Sequence, residues 1–513
     1  MRSLYIRKGV KKVLLHITKS RELVKSRELV ILSFILVLSL SLRLWGIGEQ
    51  GFNSDEAVYS GQAANMAGFE GYNQHFSLFR AHPLLLQFFV SISFILFGIS
   101  EITARIIPVI FGVSTVLVTY FIAKNLFNIN TAIVSSLILS ILPYHIAMTR
   151  QVFVDIPLSF FYSLTLLFLI KYIKTSRSTW MYAIGISSGL MFISKEIGLF
   201  SLISIAIYMI IVKKLTIKFS LIVIALFIFT SLPYLLTPLI IEDAKKALLQ
   251  YYEWQRDRIS SASDTFYLQI LLYHGLGYIL TGLCVIAIIY NIRSFNKNSP
   301  YLLLLIWIAI PLILYHLLPI KGYNYLVSVI PPLVIIGSSI IFSAIKKHQY
   351  QWIAAVLVIL FIPISIGITK EFPIDSKEAL PTEGPVPYVR EAVKWLGENT
   401  SNESKVLTIH SSSANMVKFY ANRDAIPIKT NRNPSYANLE NADLAILNNK
   451  IDYLVYEPYI SEKFPTLEKI KDKMKKYIVR YNATLVFAVY PENAHNEIKK
   501  SNEPMVSIYQ LRD

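Results

Sequence analysis

Cysteine is nearly absent from this sequence, and acids are scarce. The single cysteine, Cys284, excludes an intramolecular disulfide, so thiol usage carries no signal about compartment. It falls inside an apolar run and reads as a small core residue. Asp and Glu number 33 against 50 Lys and Arg, a net charge of +17. That excess does not point to nucleic acid, because of where it sits. Residues 1–28 hold nine basic and two acidic residues ahead of the first apolar run, which is an orientation signal. Residues 376–513 are almost balanced, with nineteen basic and seventeen acidic residues and no metal or nucleotide motif. A cleaved signal peptide is not expected, since the first apolar run is long, contains Arg43 and lacks a small-residue cleavage site. Internal repetition is confined to KSRELV at 19–24 and again at 25–30, which suggests a basic amphipathic helix on the inner leaflet.

Apolar residues are abundant. They make up 54% of the chain, with a mean hydropathy of +0.48, above the ~45–50% usual for soluble proteins. They fall in nearly uncharged runs long enough to cross ~30 Å of hydrocarbon: 29–47, 105–123, 131–148, 156–173, 180–194, 197–212, 219–241, 269–290, 301–319, 325–345 and 352–369. The predicted fold is therefore an α-helical polytopic membrane protein of about eleven spans.

Residues 84–97 (LLLQFFVSISFILF) decide the orientation of everything after them. The run is short for a span and ends at Gly98. If it lies in the interface and the N-terminus is inside, the inner loops collect Lys124, Lys171, Lys174, Arg177, Lys213, Lys214, Lys218, Arg293, Lys297, Lys346 and Lys347 with no acid. That satisfies the positive-inside rule loop by loop, whereas a crossing at 84–97 would violate it throughout. The three Asn-X-Ser/Thr sequons, at Asn399, Asn402 and Asn482, all then fall outside. The predicted organisation is a cytoplasmic tail over 1–28, a membrane domain over 29–375 with a first outer loop at 48–104, and an outer α/β domain over 376–513. The last rests on amphipathic helices at 387–399 and 466–480 and short β-rich runs at 406–409, 453–456, 484–490 and 506–511. The cell membrane is the expected location.

Five groups of ionisable residues then share the outer face: Asp55 and Glu56; Arg80 and His82, with Arg105 beyond; Arg150 and Asp155; Lys195 and Glu196; and Lys321, Tyr323 and Tyr325. Each alone has a plain reading as a helix cap, a snorkelling anchor, a hairpin turn or an aromatic belt. Gathered on one face they suit one chemistry. Cations bind the phosphate of a lipid-linked donor, and a carboxylate, Asp55 or Asp155, deprotonates an acceptor held in line with the anomeric carbon. A transporter or flippase of lipid-linked glycans is the alternative, but such proteins often show repeated halves and mid-membrane charges. Here only Arg43 lies well within a span. A non-catalytic scaffold presenting the C-terminal domain would leave the loop acids unexplained.

The order of FNSDEAVYSGQAANM, HPLLLQFFVSISFILFGISEITARIIPVIFG, TRQVFVDIPLSFF, FISKEIGLF and GYNYLVSVIPPL resembles the GT-C membrane glycosyltransferases, particularly the protein O-mannosyltransferase and aminoarabinose-transferase branch, over roughly residues 29–345. The resemblance implies an inverting enzyme moving a single sugar, mannose or another hexose, from a dolichyl- or undecaprenyl-phosphate carrier to a protein or glycolipid acceptor. It implies a catalytic role for Asp55, with Glu56 as its neighbour and Asp155 facing the site, and donor-phosphate contacts at Arg105 and the Lys321/Tyr323 region. Nucleic acid is not an implied partner; membrane lipids are. Where the aminoarabinose enzymes carry Lys-Pro-Pro this chain has Ala81-His82-Pro83, which leaves both a divalent metal and that sugar open. The WWDYG motif of oligosaccharyltransferases is missing, and the loop at 242–268 is too short for a β-trefoil insertion.

Overall fold

The computed structural model describes residues 26–79, 82–256, 264–292, 296–297, 299–318, 321–343, 388–409, 411–429, 437–438, 451–457, 465–490 and 504–511. Arg80, most of the basic tail and the expected span at 352–369 lie outside these residues. The first helix covers 26–44. Four later helices are individually long and apolar enough to cross a membrane: Glu101–Leu126, Asp155–Thr175, Ile217–Ile240 and Pro300–Leu317. Two bent pairs raise the number to six among the described residues: Ile129–Ile141 with Pro143–Thr149, at 61°, and Phe266–Gly275 with Gly277–Asn291, at 112°. The first bend follows from Pro143, which starts a new helix. The second passes through a π-turn at Leu271–Gly275 to Gly277, whose φ of 71° only glycine adopts without strain. The chain is a membrane protein: the Ile217–Ile240 helix leaves Leu221, Ile224, Phe229, Leu232 and Leu239 exposed, a face suited to lipid and not to water.

The core is built where helices meet. The Tyr162 and Trp307 rings stack at 4.5 Å, and the Tyr162 hydroxyl donates to the Trp307 carbonyl at 2.8 Å. Ion pairs mark the two ends of the bundle. Glu28, at the start of the first helix, pairs with Lys124 at the end of Glu101–Leu126. At the other end Arg105 donates to the carbonyls of Ile47 (2.9 Å), Gln50 (2.8 Å) and Gly51 (2.9 Å). Residues 45–100 thus leave and rejoin the bundle at one end. The Leu85–Phe97 helix belongs to that excursion, and its thirteen residues reach only about 20 Å, short of the ~30 Å hydrocarbon core.

That end also carries the C-terminal domain. Strands β1 (Lys405–Thr408), β2 (Asp424–Lys429), β3 (Ala437–Asn438), β4 (Tyr453–Tyr456), β5 (Thr484–Val489) and β6 (Val506–Gln510) form a sheet in the order β3-β2-β1-β4-β6-β5. The β3-β2-β1-β4 portion is parallel, and β6 and β5 add antiparallel. Helices Val389–Asn399 and Pro465–Arg480 pack on it, as their amphipathic patterns predict. Strand β2 and the helix from Ser411 through the π-turn Val417–Ala421 add elements that the sequence reading lacked. Pro427, paired with Thr408, argues against a strand in the sequence.

Candidate active site

The Ser54–Met66 helix begins with a capping box: the Asn53 side chain accepts from the Glu56 amide at 2.9 Å, and Glu56 accepts from the Asn53 amide at 3.1 Å. Glu56 also receives Arg105 through both carboxylate oxygens at 2.8 Å and the Val152 amide at 3.1 Å. Glu56 and Arg105 are therefore buried and bound to each other, knitting the first loop to the Glu101–Leu126 helix and to the segment ahead of Asp155. Asp55 behaves differently. In a run where Phe52, Asn53, Ser54, Glu56, Ala57 and Val58 are all buried, it alone is exposed. A helix turns ~100° per residue, so neighbouring acids face different surroundings.

Four residues downstream on the same helix is Tyr59. Burial pushes its phenol well above the ordinary range, with Asp55, Asp155, Tyr251 and Glu196 adding to the shift. The Tyr323 phenol is raised by burial and then by Asp55, Glu56 and Asp155. Asp55 and Asp155, a hundred residues apart in sequence, thus act on the same two phenols. Asp155 is the first residue of the Asp155–Thr175 helix. Its carboxylate accepts from Lys195 Nζ at 2.8 and 3.1 Å and from Asn324 Nδ2 at 2.7 Å. Burial pulls the Lys195 ammonium down, but Asp155, then Tyr325, raise it above its ordinary value, and Nζ lies 4.0 Å from the centre of the Tyr325 ring. Next to Lys195, Glu196 takes His82 Nδ1 at 3.1 Å. Burial raises the Glu196 carboxyl, but His82 brings it below its usual value. The His82 ring contacts Tyr59 at 6.4 Å and Tyr251 at 5.4 Å, edge to face.

His82 also lines an apolar cavity of about 480 Å³, together with Leu84, Phe88, Pro233, Tyr234, Pro238 and Leu248 among others. The cavity thus reaches the polar cluster at His82, whose partner Glu196 stands next to Lys195 and its partner Asp155. Such a cavity can hold a lipid chain beside a polar headgroup.

The expected residues therefore divide. Asp55, Asp155, His82, Lys195, Glu196, Tyr323 and Tyr325 converge. Glu56 and Arg105 lie on the other face of the Ser54–Met66 helix, and Arg150 sits within electrostatic reach of Arg105 and Glu49. Lys321 lies 3.8 Å from Asp264, a carboxylate that is 98% exposed. Tyr59, Asn324 and Tyr251 were missed. Tyr59 was the one with a signal, its i+4 spacing from Asp55. Among the described residues no group of three or more His, Cys, Asp and Glu is placed to hold a metal ion.

Residues 81–238 match the family described as Dolichyl-phosphate-mannose-protein mannosyltransferase. An uncharacterized protein of Aquifex aeolicus (strain VF5) is 29% identical over 172 residues, 32% of this chain and 34% of that protein, so the match spans about a third of that relative. Among solved structures, ArnT from Cupriavidus metallidurans in the apo state is similar at a TM-score of 0.65 and 14% identity, over 93% of this chain and 97% of that one. The same protein bound to undecaprenyl phosphate gives a TM-score of 0.63 at 12% identity, with the same coverage. The archaeal oligosaccharyltransferase AglB from Archaeoglobus fulgidus, in complex with an inhibitory peptide and a dolichol-phosphate, gives 0.59 at 14% identity, over 92% of this chain and 74% of that one. The chain shares the fold of these solved proteins, the GT-C membrane glycosyltransferase fold, and residues 81–238 match the mannosyltransferase family.

Proposed function

We propose that this chain transfers a single sugar from a polyprenyl monophosphate to an acceptor on the outer face of the membrane. The observation that carries the reading is the apolar cavity meeting His82 beside the Asp155–Lys195 pair and the exposed Asp55. The neighbours solved with undecaprenyl phosphate and dolichol-phosphate support a donor of that class. In this reading the polyprenyl chain fills the cavity, and the phosphate meets His82 and Lys195. Glu196 and Asp155 hold those two side chains in place, with Asn324 donating to the second Asp155 oxygen. Asp55 takes the proton of the acceptor hydroxyl or amine. The acceptor oxygen or nitrogen bonds to the anomeric carbon as the bond from that carbon to the phosphate oxygen breaks. The electron pair leaves with polyprenyl phosphate, already a good leaving group, so positioning and deprotonation are the protein's main tasks. Mannose is the sugar suggested by the family matching residues 81–238.

The test uses purified full-length protein in lipid nanodiscs with labelled mannosyl- and glucosyl-phosphoundecaprenol and an envelope extract as acceptor source. Label should move to the extract with release of undecaprenyl phosphate. Asp55→Asn should slow transfer by roughly 10²-fold or more, the usual contribution of a general base. Equal rates in the two proteins would remove Asp55 from its role. Lipid scrambling without acceptor would favour a flippase instead.

A further inference from the structure

The C-terminal domain is not simply attached to the membrane domain: its contacts converge on the turn that carries Asp55. The Phe52 amide donates to the Tyr420 hydroxyl at 2.8 Å, and that hydroxyl donates to Glu101 at 2.9 Å. The Phe52 ring packs edge-on to Phe419 at 5.0 Å, with Tyr420 at 5.9 Å and the Arg105 guanidinium at 5.1 Å. Asn415 Nδ2 donates to the Ser54 hydroxyl at 3.0 Å, and Arg390 donates to the Gly48 carbonyl at 3.1 Å. Tyr72 in turn donates to the Phe419 carbonyl at 3.1 Å. Phe419 and Tyr420 lie in the π-turn Val417–Ala421, a wide turn of a kind that recurs at functional sites. In it, two successive aromatics both reach Phe52. From the membrane domain, Gln151 takes the Asn53 side chain at 2.8 Å and Arg105 takes Glu56. Residues 52–54 and 56 are therefore held by contacts from both domains, and the exposed Asp55 lies between them.

We propose that Tyr420 and Asn415 are positioning residues for Asp55, which makes the C-terminal domain a working part of the transfer site. The inference rests on the reading of Asp55 as the base. An attacking group must meet the anomeric carbon in line, and a misplacement of ~1 Å can cost 10²-fold in rate. Holding Phe52 and Ser54 fixes the helix start, and with it the direction of the next side chain.

Tyr420→Phe removes the hydroxyl and keeps the ring; Asn415→Ala is the second variant, should the first destabilise the fold. Both are made in the full chain, alone and with Asp55→Asn. Release of undecaprenyl phosphate from labelled mannosyl- and glucosyl-phosphoundecaprenol gives rates, undecaprenyl phosphate binding is measured separately, and hydrogen exchange reads the amides of residues 52–58. Tyr420→Phe should lower kcat by roughly tenfold with lipid binding within about twofold of native, speed exchange over 52–58, and add nothing in the Asp55→Asn background, because coupled residues are non-additive. Asn415→Ala should show the same pattern more weakly. Native exchange and rate, or a loss fully additive with Asp55→Asn, or lipid binding weakened in step with rate, would each overturn the proposal. If Asp55→Asn is fully active, the site reading has failed, and that outcome is separate from exchange at 52–58, which still judges the clamp.

Discussion

The Asp155–Lys195 pair offers the sharpest test of the site's electrostatics. Both side chains are nearly inaccessible, at 2% and 6% exposure. Removing one member of a buried pair typically costs ~3–5 kcal/mol, because the other charge is left uncompensated, whereas replacing both with apolar residues of similar size is often neutral. Two features of this site soften the single loss. Asn324 still donates to Asp155 at 2.7 Å, and a bond to a charged group is worth ~1.5–3 kcal/mol. Asp155 also opens the Asp155–Thr175 helix, where a negative charge gains ~0.3–1 kcal/mol. One feature adds to it: the cation at 4.0 Å from the Tyr325 ring is lost, ~0.5–2 kcal/mol. Lys195→Met should therefore destabilise by roughly 3 kcal/mol, and the double variant Asp155→Leu, Lys195→Met by only about 1 kcal/mol. Unfolding midpoints in mixed micelles for the four members of the cycle give the coupling directly. If Lys195→Met and the double variant unfold alike, the buried pair does not hold this end of the bundle, and the reasoning fails.

Two further outcomes follow from the C-terminal domain. Burial raises the Glu457 carboxyl, at the end of β4, to about 7, so the native state keeps a proton that the unfolded chain releases near 4.5. Stability should then fall as pH rises from about 4.5 to about 7, by about 3 kcal/mol in all, and level off above. Glu457→Gln should flatten that dependence and raise the unfolding midpoint at pH 8 more than at pH 5; an equal gain at both would refute it. Gly71 has φ +83°, and a Cβ there would lie 1.9 Å from the Asn422 side-chain nitrogen. Gly71→Ala should cost at least ~1–2 kcal/mol from the backbone alone and loosen the contact between the first loop and the C-terminal domain, read as faster exchange over residues 417–421. Native exchange there would show the contact to be incidental.

Much of the polar inventory of the candidate site could be picked out in the sequence because ionisable residues stand out against an apolar background. Asp55, His82, Asp155, Lys195 and Glu196 announced themselves by being rare. Their partners did not. Asp155 and Lys195 are forty residues apart, and nothing local distinguishes Lys195 from Lys321, which instead lies near the exposed Asp264. Asn324 was hidden between two conspicuous tyrosines, and only the 3₁₀ turn Tyr323–Ser328 brings it to Asp155. Asp55 and Glu56 looked like one feature. One helical step of rotation gives them separate surroundings, an exposed position for one and the buried Arg105 for the other.

The sequence alone determined that the chain lives in a membrane, because runs of apolar residues have no other stable environment at this length. It also determined the capped start of the Ser54–Met66 helix and most of the C-terminal helices and strands, which depend on neighbours within a few residues. The tertiary structure decided which charges meet, which face of each helix is buried, and that the Phe419–Tyr420 turn grips Phe52. Those contacts join residues up to 368 positions apart, and their energies depend on packing and burial that no local pattern encodes.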